Sequence, residues 1–267
     1  MIPHNLTAEN YFSPEANMQY MSCSQFKSFQ KCEASALAEL RGEYERPVTD
    51  ALLIGSYVDA HFEGTLDIFK AKHPEIFTQK GELKAQYKHA EYMIQRAERD
   101  PTFMQFMSGR KQVIMVGEIA GVPYKIKVDS LHENAIVDLK AMKDLAPLWN
   151  EDKHVKQHFI HYWGYDIQGA IYREVVRQNT GNVLPFYIAA ITKERPEPNL
   201  QVYWIPDEDL DYSLNEVKSL SPRFQQIKEG QKLEPQRCGD CDYCRFTKVL
   251  TGPVNFHEEM EVYDVEQ

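Results

Sequence analysis

Apolar residues recur at three-to-four spacing over residues 24–41, where Phe26, Phe29, Leu37 and Leu40 stand among small side chains, and this period predicts a helix. Residues 50–69 repeat the pattern through Leu52, Leu53, Val58, Phe62 and Leu66. Residues 82–98 are charged and helix-favouring, and Asp100-Pro101 closes them off. At Val113 the texture changes. Residues 113–119, 124–131 and 135–139 read as three successive strands, with Gly121-Val122-Pro123 and His132-Glu133-Asn134 as turns. A helix returns over residues 155–178. Residues 183–192 and 201–205 read as two further strands around a proline-rich loop, and a helix over residues 214–228 precedes a cysteine-rich stretch. This order predicts an α/β core with a mixed sheet and extra helices on its N-terminal side. With no repeat, low-complexity tract or linker, residues 1–267 read as one domain. Its parts are a helical region (1–110), a core (111–206) and a C-terminal helix with the cysteine segment (207–267).

A hydrophobic content of 43% and a charged content of 26% are ordinary for a soluble globular chain. No apolar run approaches the roughly 18 to 20 residues that span a bilayer. The first twenty residues are polar and carry acids, unlike a signal peptide. A cytoplasmic address without membrane contact is therefore expected. The net charge of −10 argues against indiscriminate, salt-driven nucleic-acid binding. The acids are unevenly placed, however. Glu258, Glu259, Glu261, Asp264 and Glu266 crowd the tail, and Asp207, Glu208, Asp209 and Asp211 form a second patch. Such a chain can still grip a polyanion locally and recruit divalent cations.

The stretch most informative about chemistry is Tyr124-Lys-Ile-Lys-Val-Asp129 followed by Ile136-Val-Asp138-Leu-Lys140. By strand alternation Lys125, Lys127 and Asp129 share one face and Tyr124, Ile126 and Val128 the other. Asp138 and Lys140 project together, with Val137 and Leu139 pointing into the core. Two adjacent antiparallel strands can then cluster Asp129, Asp138 and Lys140. Hard carboxylate oxygens suit Mg²⁺, which polarises a phosphate and lowers the pKa of bound water. A neighbouring lysine can orient that water or hold charge on the phosphorane. An isolated D-x-K is more often a solvated hairpin, so the surrounding residues decide.

Those surroundings resemble the PD-(D/E)xK nucleases, in the branch of the RecB nuclease domain and the RecE-like, exodeoxyribonuclease VIII-like phage exonucleases. Gly55-Ser-Tyr-Val-Asp-Ala-His61 matches a helical histidine upstream of the acids. Glu118 matches a glutamate about ten residues before the first aspartate, and Tyr165-Asp-Ile-Gln168-Gly-Ala-Ile-Tyr172 matches a downstream Q-x-x-x-Y helix. The first aspartate follows valine where proline is common. The resemblance implies a restriction-endonuclease-like α/β fold, a mixed central sheet flanked by helices. It implies that Asp129, Asp138 and the Leu139 carbonyl bind the catalytic Mg²⁺ or Mn²⁺, aided by His61 and Glu118. Lys140 would then position the water, with Gln168 and Tyr172 touching the DNA backbone or bracing the site. It further implies digestion of one strand from duplex DNA ends in a bacterial or phage setting, feeding a single-strand annealing protein, with a ring-shaped homo-oligomer around the DNA. An endonuclease on the same fold and a catalytically silent DNA-binding scaffold are the competing readings.

Cys238-Gly-Asp-Cys241-Asp-Tyr-Cys244 spaces three thiols so that they can converge on one metal or cluster. Cys32 is the candidate fourth ligand. One N-terminal and three C-terminal cysteines resemble the layout that holds a [4Fe–4S] cluster in AddB-type nucleases, although the last gap here is shorter. That difference leaves a [4Fe–4S] cluster, zinc and an unmetallated knuckle open. Cys23 reads as a buried or free thiol. His154, His158 and His161 fall on one helical face, for which a structural or DNA-facing role is expected.

Overall fold

The computed structural model describes residues 6–257 other than Val48, Asp152, Val254 and Phe256. The acids noted in the tail at Glu258 and beyond lie outside the described residues. The N-terminal region forms α1 (Pro14–Gln19), α2 (Cys23–Lys31), α3 (Glu33–Leu40), α4 (Asp50–Glu63), α5 (Leu66–Lys72), α6 (Ala85–Glu98) and α7 (Pro101–Phe106). The helix expected over residues 24–41 is thus two, because Cys32 is extended (φ −165°, ψ 106°) between α2 and α3. The helix expected over residues 50–69 stops where Gly64 turns left-handed (φ 76°). Asp100 closes α6 and also opens α7, accepting the Phe103 N–H at 2.9 Å.

Strands β1 (Arg110–Ile119), β2 (Val122–Leu131) and β3 (Ile136–Met142) form the expected meander. The helix expected over residues 155–178 begins later. Residues 148–157 form a small hairpin of β4 (Leu148–Asn150) and β5 (Val155–Gln157). After it come α8 (Phe159–Tyr162) and α9 (Tyr165–Thr180), separated by left-handed Gly164. Next follow β6 (Phe186–Thr192), β7 (Leu200–Ile205), α10 (Asp207–Lys228) and α11 (Asp242–Phe246). Helix α10 starts earlier than the apolar period suggested. Its first turn is the acidic patch of Asp207, Glu208 and Asp209, which suits the positive end of the helix dipole.

The main sheet runs β1-β2-β3-β6-β7 and is antiparallel except at β3–β6. A parallel pair needs a crossover, which α8 and α9 supply. One face packs on α2, α9 and α10 through Phe26, Ile126, Ile171, Val175, Val217 and Phe224. The other packs on α4, α6 and α7 through Tyr57, Met93, Phe103, Val137, Leu139 and Ile191. Burial on both faces explains the unbroken apolar run of β6. The fold is the mixed α/β sheet flanked by helices that the sequence predicted. Among the described residues no helix is long and apolar enough to cross a membrane.

Strands β2 and β3 pair only at Ser130↔Val137 and Leu131↔Ile136, then part. Further along β2, Met21 takes the freed edge. Its N–H donates to Pro123 O at 2.8 Å, and Lys125 N–H donates to Met21 O at 2.9 Å. Lys125 is itself 1% exposed. Its Nζ donates to Tyr11 O and to Asn17 Oδ1, and burial pushes its pKa down to about 8. Lys228 Nζ donates to Asn17 O, Tyr20 O and Gln25 Oε1, so two buried lysines grip the segment around α1.

Candidate active site

The parting of β2 and β3 builds the site. Asp129 fills the gap, and its Oδ2 accepts the Leu139 N–H at 2.9 Å in place of a strand partner. Its Oδ1 accepts from Gln112 Nε2 at 3.3 Å. Gln112 has φ 53°, which turns the backbone of β1 where it faces Asp129. Asp138 on β3 is 2% exposed, and its Oδ1 accepts from Gln168 Nε2 on α9 at 2.6 Å. Lys140 Nζ forms an ion pair with Asp138 Oδ2 and lies 5.2 Å from the centre of the Tyr165 ring. From the opposite layer α4 presents Asp59 and Glu63, which with Phe62, Met107, Gln112, Asp129 and Leu139 line a small cavity.

Burial dominates the electrostatics. It holds the Asp129 carboxyl well above the usual carboxylate range, reinforced by the charges of Asp138 and Asp59 and opposed by Lys140 and the Leu139 N–H. Asp59 is pushed up to about 7 by burial, against the pull of Lys140 and with the push of Asp138 and Glu63. Burial works against charge on Lys140, yet Asp138 and Asp129 lift its pKa above the ordinary lysine value, so it stays an ammonium.

Three carboxyl groups therefore face one ammonium. Asp138 Oδ2 is met by the Lys140 ammonium, while Gln112 Oε1 is buried without a hydrogen-bond donor. An unpaired oxygen such as Gln112 Oε1 in a low-dielectric pocket is costly unless a cation or donor satisfies it. The donor set fits an oxygen-seeking divalent ion.

The structure brings Asp129, Asp138, Leu139, Lys140 and Gln168 together. Tyr172 donates its hydroxyl to Lys127 O at 3.2 Å and so braces β2 from α9. His61 is placed otherwise. Its Nε2 lies 2.9 Å from Glu98 Oε1. Standing two residues from Asp59, it points about 200° away around the helix. Glu118 also stays apart, as the register sets it opposite Pro123 while Asp129 stands level with Gln112. Six residues of strand, about 20 Å, separate those levels. Glu118 is exposed, and its backbone N–H donates to Gln178 Oε1.

Asp59 and Gln112 escaped the sequence reading. The spacing of Asp59 and Glu63 at i and i+4 was the available signal, since such residues share a helix face. Gln112 lay just before the strand start assigned from hydropathy. The three histidines do not share a helix. His154 sits in a turn before β5, His158 caps α8, and His161 Nδ1 lies 2.9 Å from Asp166 Oδ2. Cys32, Cys238, Cys241 and Cys244 do converge, with all four sulfurs within 4.8 Å of one another. Cys23 is buried as a free thiol outside that group.

A mixed sheet whose parted central strands carry Asp129, Asp138 and Lys140, with Gln168 on the crossover helix, defines the PD-(D/E)xK nuclease fold. The chain belongs to the family described as a PDDEXK-like domain of unknown function (DUF3799), whose model matches residues 22–247. The crystal structure of a protein named "Putative exonuclease" from Eubacterium rectale is 49% identical, with a TM-score of 0.90 over 95% of this chain and 97% of that one. A second solved structure, SSO0001, is 12% identical with a TM-score of 0.32, covering 86% of this chain and 96% of that one. No curated protein matches the chain.

Proposed function

We propose that this chain is a Mg²⁺- or Mn²⁺-dependent exodeoxyribonuclease that hydrolyses phosphodiester bonds from the ends of duplex DNA. The observation that carries the reading is the convergence of Asp59, Asp129 and Asp138 on Lys140, with Asp138 Oδ2 in contact with the ammonium. Asp129, Asp138 and the Leu139 carbonyl would hold the metal ion, with Asp59 in the place that the family resemblance gives to His61. A bound divalent ion supplies positive charge beside the phosphate and a lowered pKa for its water. Lys140, kept as an ammonium by Asp138, orients that water or offsets charge growing on the phosphate oxygens. It cannot act as a base while protonated. Gln168 fixes the Asp138 carboxylate and Tyr172 fixes β2.

Attack from ends is favoured by the name of the relative at 49% identity. The tails produced feed a single-strand annealing protein in phage-type recombination. A ring-shaped oligomer accounts for processivity despite a net charge of −10; sedimentation showing only a monomer refutes the ring.

The deciding experiment incubates the protein with Mg²⁺ and end-labelled linear duplex DNA, beside covalently closed circles and the Asp138→Ala variant. Loss of linear DNA from its ends, survival of circles and an inactive variant are expected. Cleavage of circles replaces the exonuclease by an endonuclease. No cleavage in Mg²⁺ or Mn²⁺ leaves a silent DNA-binding scaffold.

A further inference from the structure

The group of Cys32, Cys238, Cys241 and Cys244 shares no residue with the acidic site, and no step of hydrolysis uses it. Cys32 is the extended residue between α2 and α3, and Cys244 lies within α11, 212 positions away. Their sulfurs are 3.6 Å apart, and those of Cys238 and Cys244 are 4.0 Å apart. Cys238 Sγ accepts the Cys241 N–H at 3.3 Å, and Cys241 Sγ accepts the Cys244 N–H at 3.4 Å. Gly239 takes φ 84°, which only glycine adopts without strain, and this lets the chain double back between the first two thiols.

The group is docked by protein contacts independent of sulfur. Glu33 is 5% exposed and accepts from Arg223 Nε and Nη2 at 2.6 and 2.8 Å and from Gln236 N–H at 2.7 Å. Ala34 N–H donates to Gln236 O at 3.0 Å. The strand of chain leading to Cys238 is thus fixed on the start of α3, so the sulfur positions are set by the fold.

We infer that Cys32, Cys238, Cys241 and Cys244 bind a single tetrahedral zinc ion, and that the [4Fe–4S] cluster suggested by the layout does not fit. Size decides between them. A Zn–S bond of about 2.3 Å makes the edge of the sulfur tetrahedron about 3.8 Å. The sulfur separations of 3.6 and 4.0 Å bracket that value, and none exceeds 4.8 Å. In a four-iron cluster each cysteine binds a different iron, so any two of their sulfurs are separated by two irons and a bridging sulfide. That arrangement holds the sulfurs well beyond contact, and the docked Glu33–Gln236 segment would have to move to admit it. An all-thiolate set also excludes the hard ions that suit the acids, so the chain carries two sites of opposite chemical preference.

The test is elemental analysis of the full-length protein, purified without chelator, both aerobically and anaerobically after iron-supplemented growth. The expected result is about one zinc per chain, with no acid-labile sulfide and no visible colour in either preparation. Cobalt(II) exchanged into the site gives the d–d absorption of a tetrahedral tetrathiolate. The Cys238→Ser variant, altered at an exposed thiol, lowers zinc affinity at least tenfold, while Cys23→Ser keeps full occupancy. Iron and labile sulfide near four per chain in the anaerobic preparation overturn the proposal. Metal-free protein whose melting temperature ignores added zinc overturns it equally, as does loss of zinc from Cys23→Ser.

Discussion

Gln168 Nε2 donates to Asp138 Oδ1 at 2.6 Å, tying the crossover helix to the buried acid of β3. Asp138 is 2% exposed, so neither of its oxygens can turn to water for compensation. Replacing Gln168 with Ala frees Oδ1 and lets the carboxylate rotate. Activity and apparent Mg²⁺ affinity fall about 10- to 100-fold, as for other residues that orient a ligand. A Mg²⁺ titration of nuclease activity checks this, and an unchanged titration removes Gln168 from the site.

Gly169, the next residue, sets how closely α9 approaches the sheet. A Cβ there meets Leu210 Cδ2 and Phe186 Cδ1, each at 2.7 Å. Alanine gains up to about 1 kcal/mol in helix propensity. Overpacking against a buried ring costs about 1–3 kcal/mol, so the clash outweighs the gain. Gly169→Ala is expected to be less stable in urea, and less active because Gln168 rides on the same turn. A variant as stable as the parent sinks the close-packing account.

Asp59 and Asp129 both have raised pKa values, Asp59 to about 7. A carboxyl raised above its unfolded value near 4 stabilises the folded chain fully below that pH, and the contribution is lost as pH rises through the folded value. The metal-free chain should therefore lose stability from about pH 4 to 7. Mg²⁺ opposes the charges that appear, so its thermal stabilisation is larger at about pH 8 than at about pH 5. Equal stabilisation at both values contradicts a metal held by these carboxylates.

Lys228 behaves in the opposite sense. Burial, with the nearby Lys125 charge, pushes its pKa down to about 7. Between that value and the unfolded lysine value near 10.4 the unfolded chain binds more protons, so Lys228 makes stability rise with pH. Urea melts of the parent and of Lys228→Met between about pH 7 and 10 should show the stability difference moving in favour of the parent as pH rises. Parallel curves show that folding does not depress the Lys228 pKa.

The sheet meander was legible because β2 and β3 alternate cleanly and are closed by turn residues. Asp129, Asp138 and Lys140 could be chosen because strand parity is a local rule, and Gln168 came from the resemblance to the family's Q-x-x-x-Y helix. What escaped depends on the third dimension. The parting of β2 from β3 has no local signature, and neither does the β1–β2 register, which sets Glu118, taken from the family resemblance, about six residues of strand away from Asp129. His61 came from the resemblance to a helical histidine upstream of the acids, while the face of α4 turned inward is that of Asp59. Helix propensity over residues 155–178 ran across Gly164 and concealed the β4–β5 hairpin. Within residues 24–41 it concealed the break at Cys32, where tertiary docking of the chain's two ends prevails over local preference.

Met21 also has a consequence for solubility. By occupying Pro123 O and Lys125 N–H it caps the stretch of β2 left bare by β3. An uncapped inner edge is a template on which foreign strands polymerise. Trimming the chain up to Met21 would bare that template and strand the ammoniums of Lys125 and Lys228 without their carbonyls. The segment ahead of α2 thus acts as a guard against self-association, and an amino-terminal deletion should announce itself first as aggregation, before any change in catalysis.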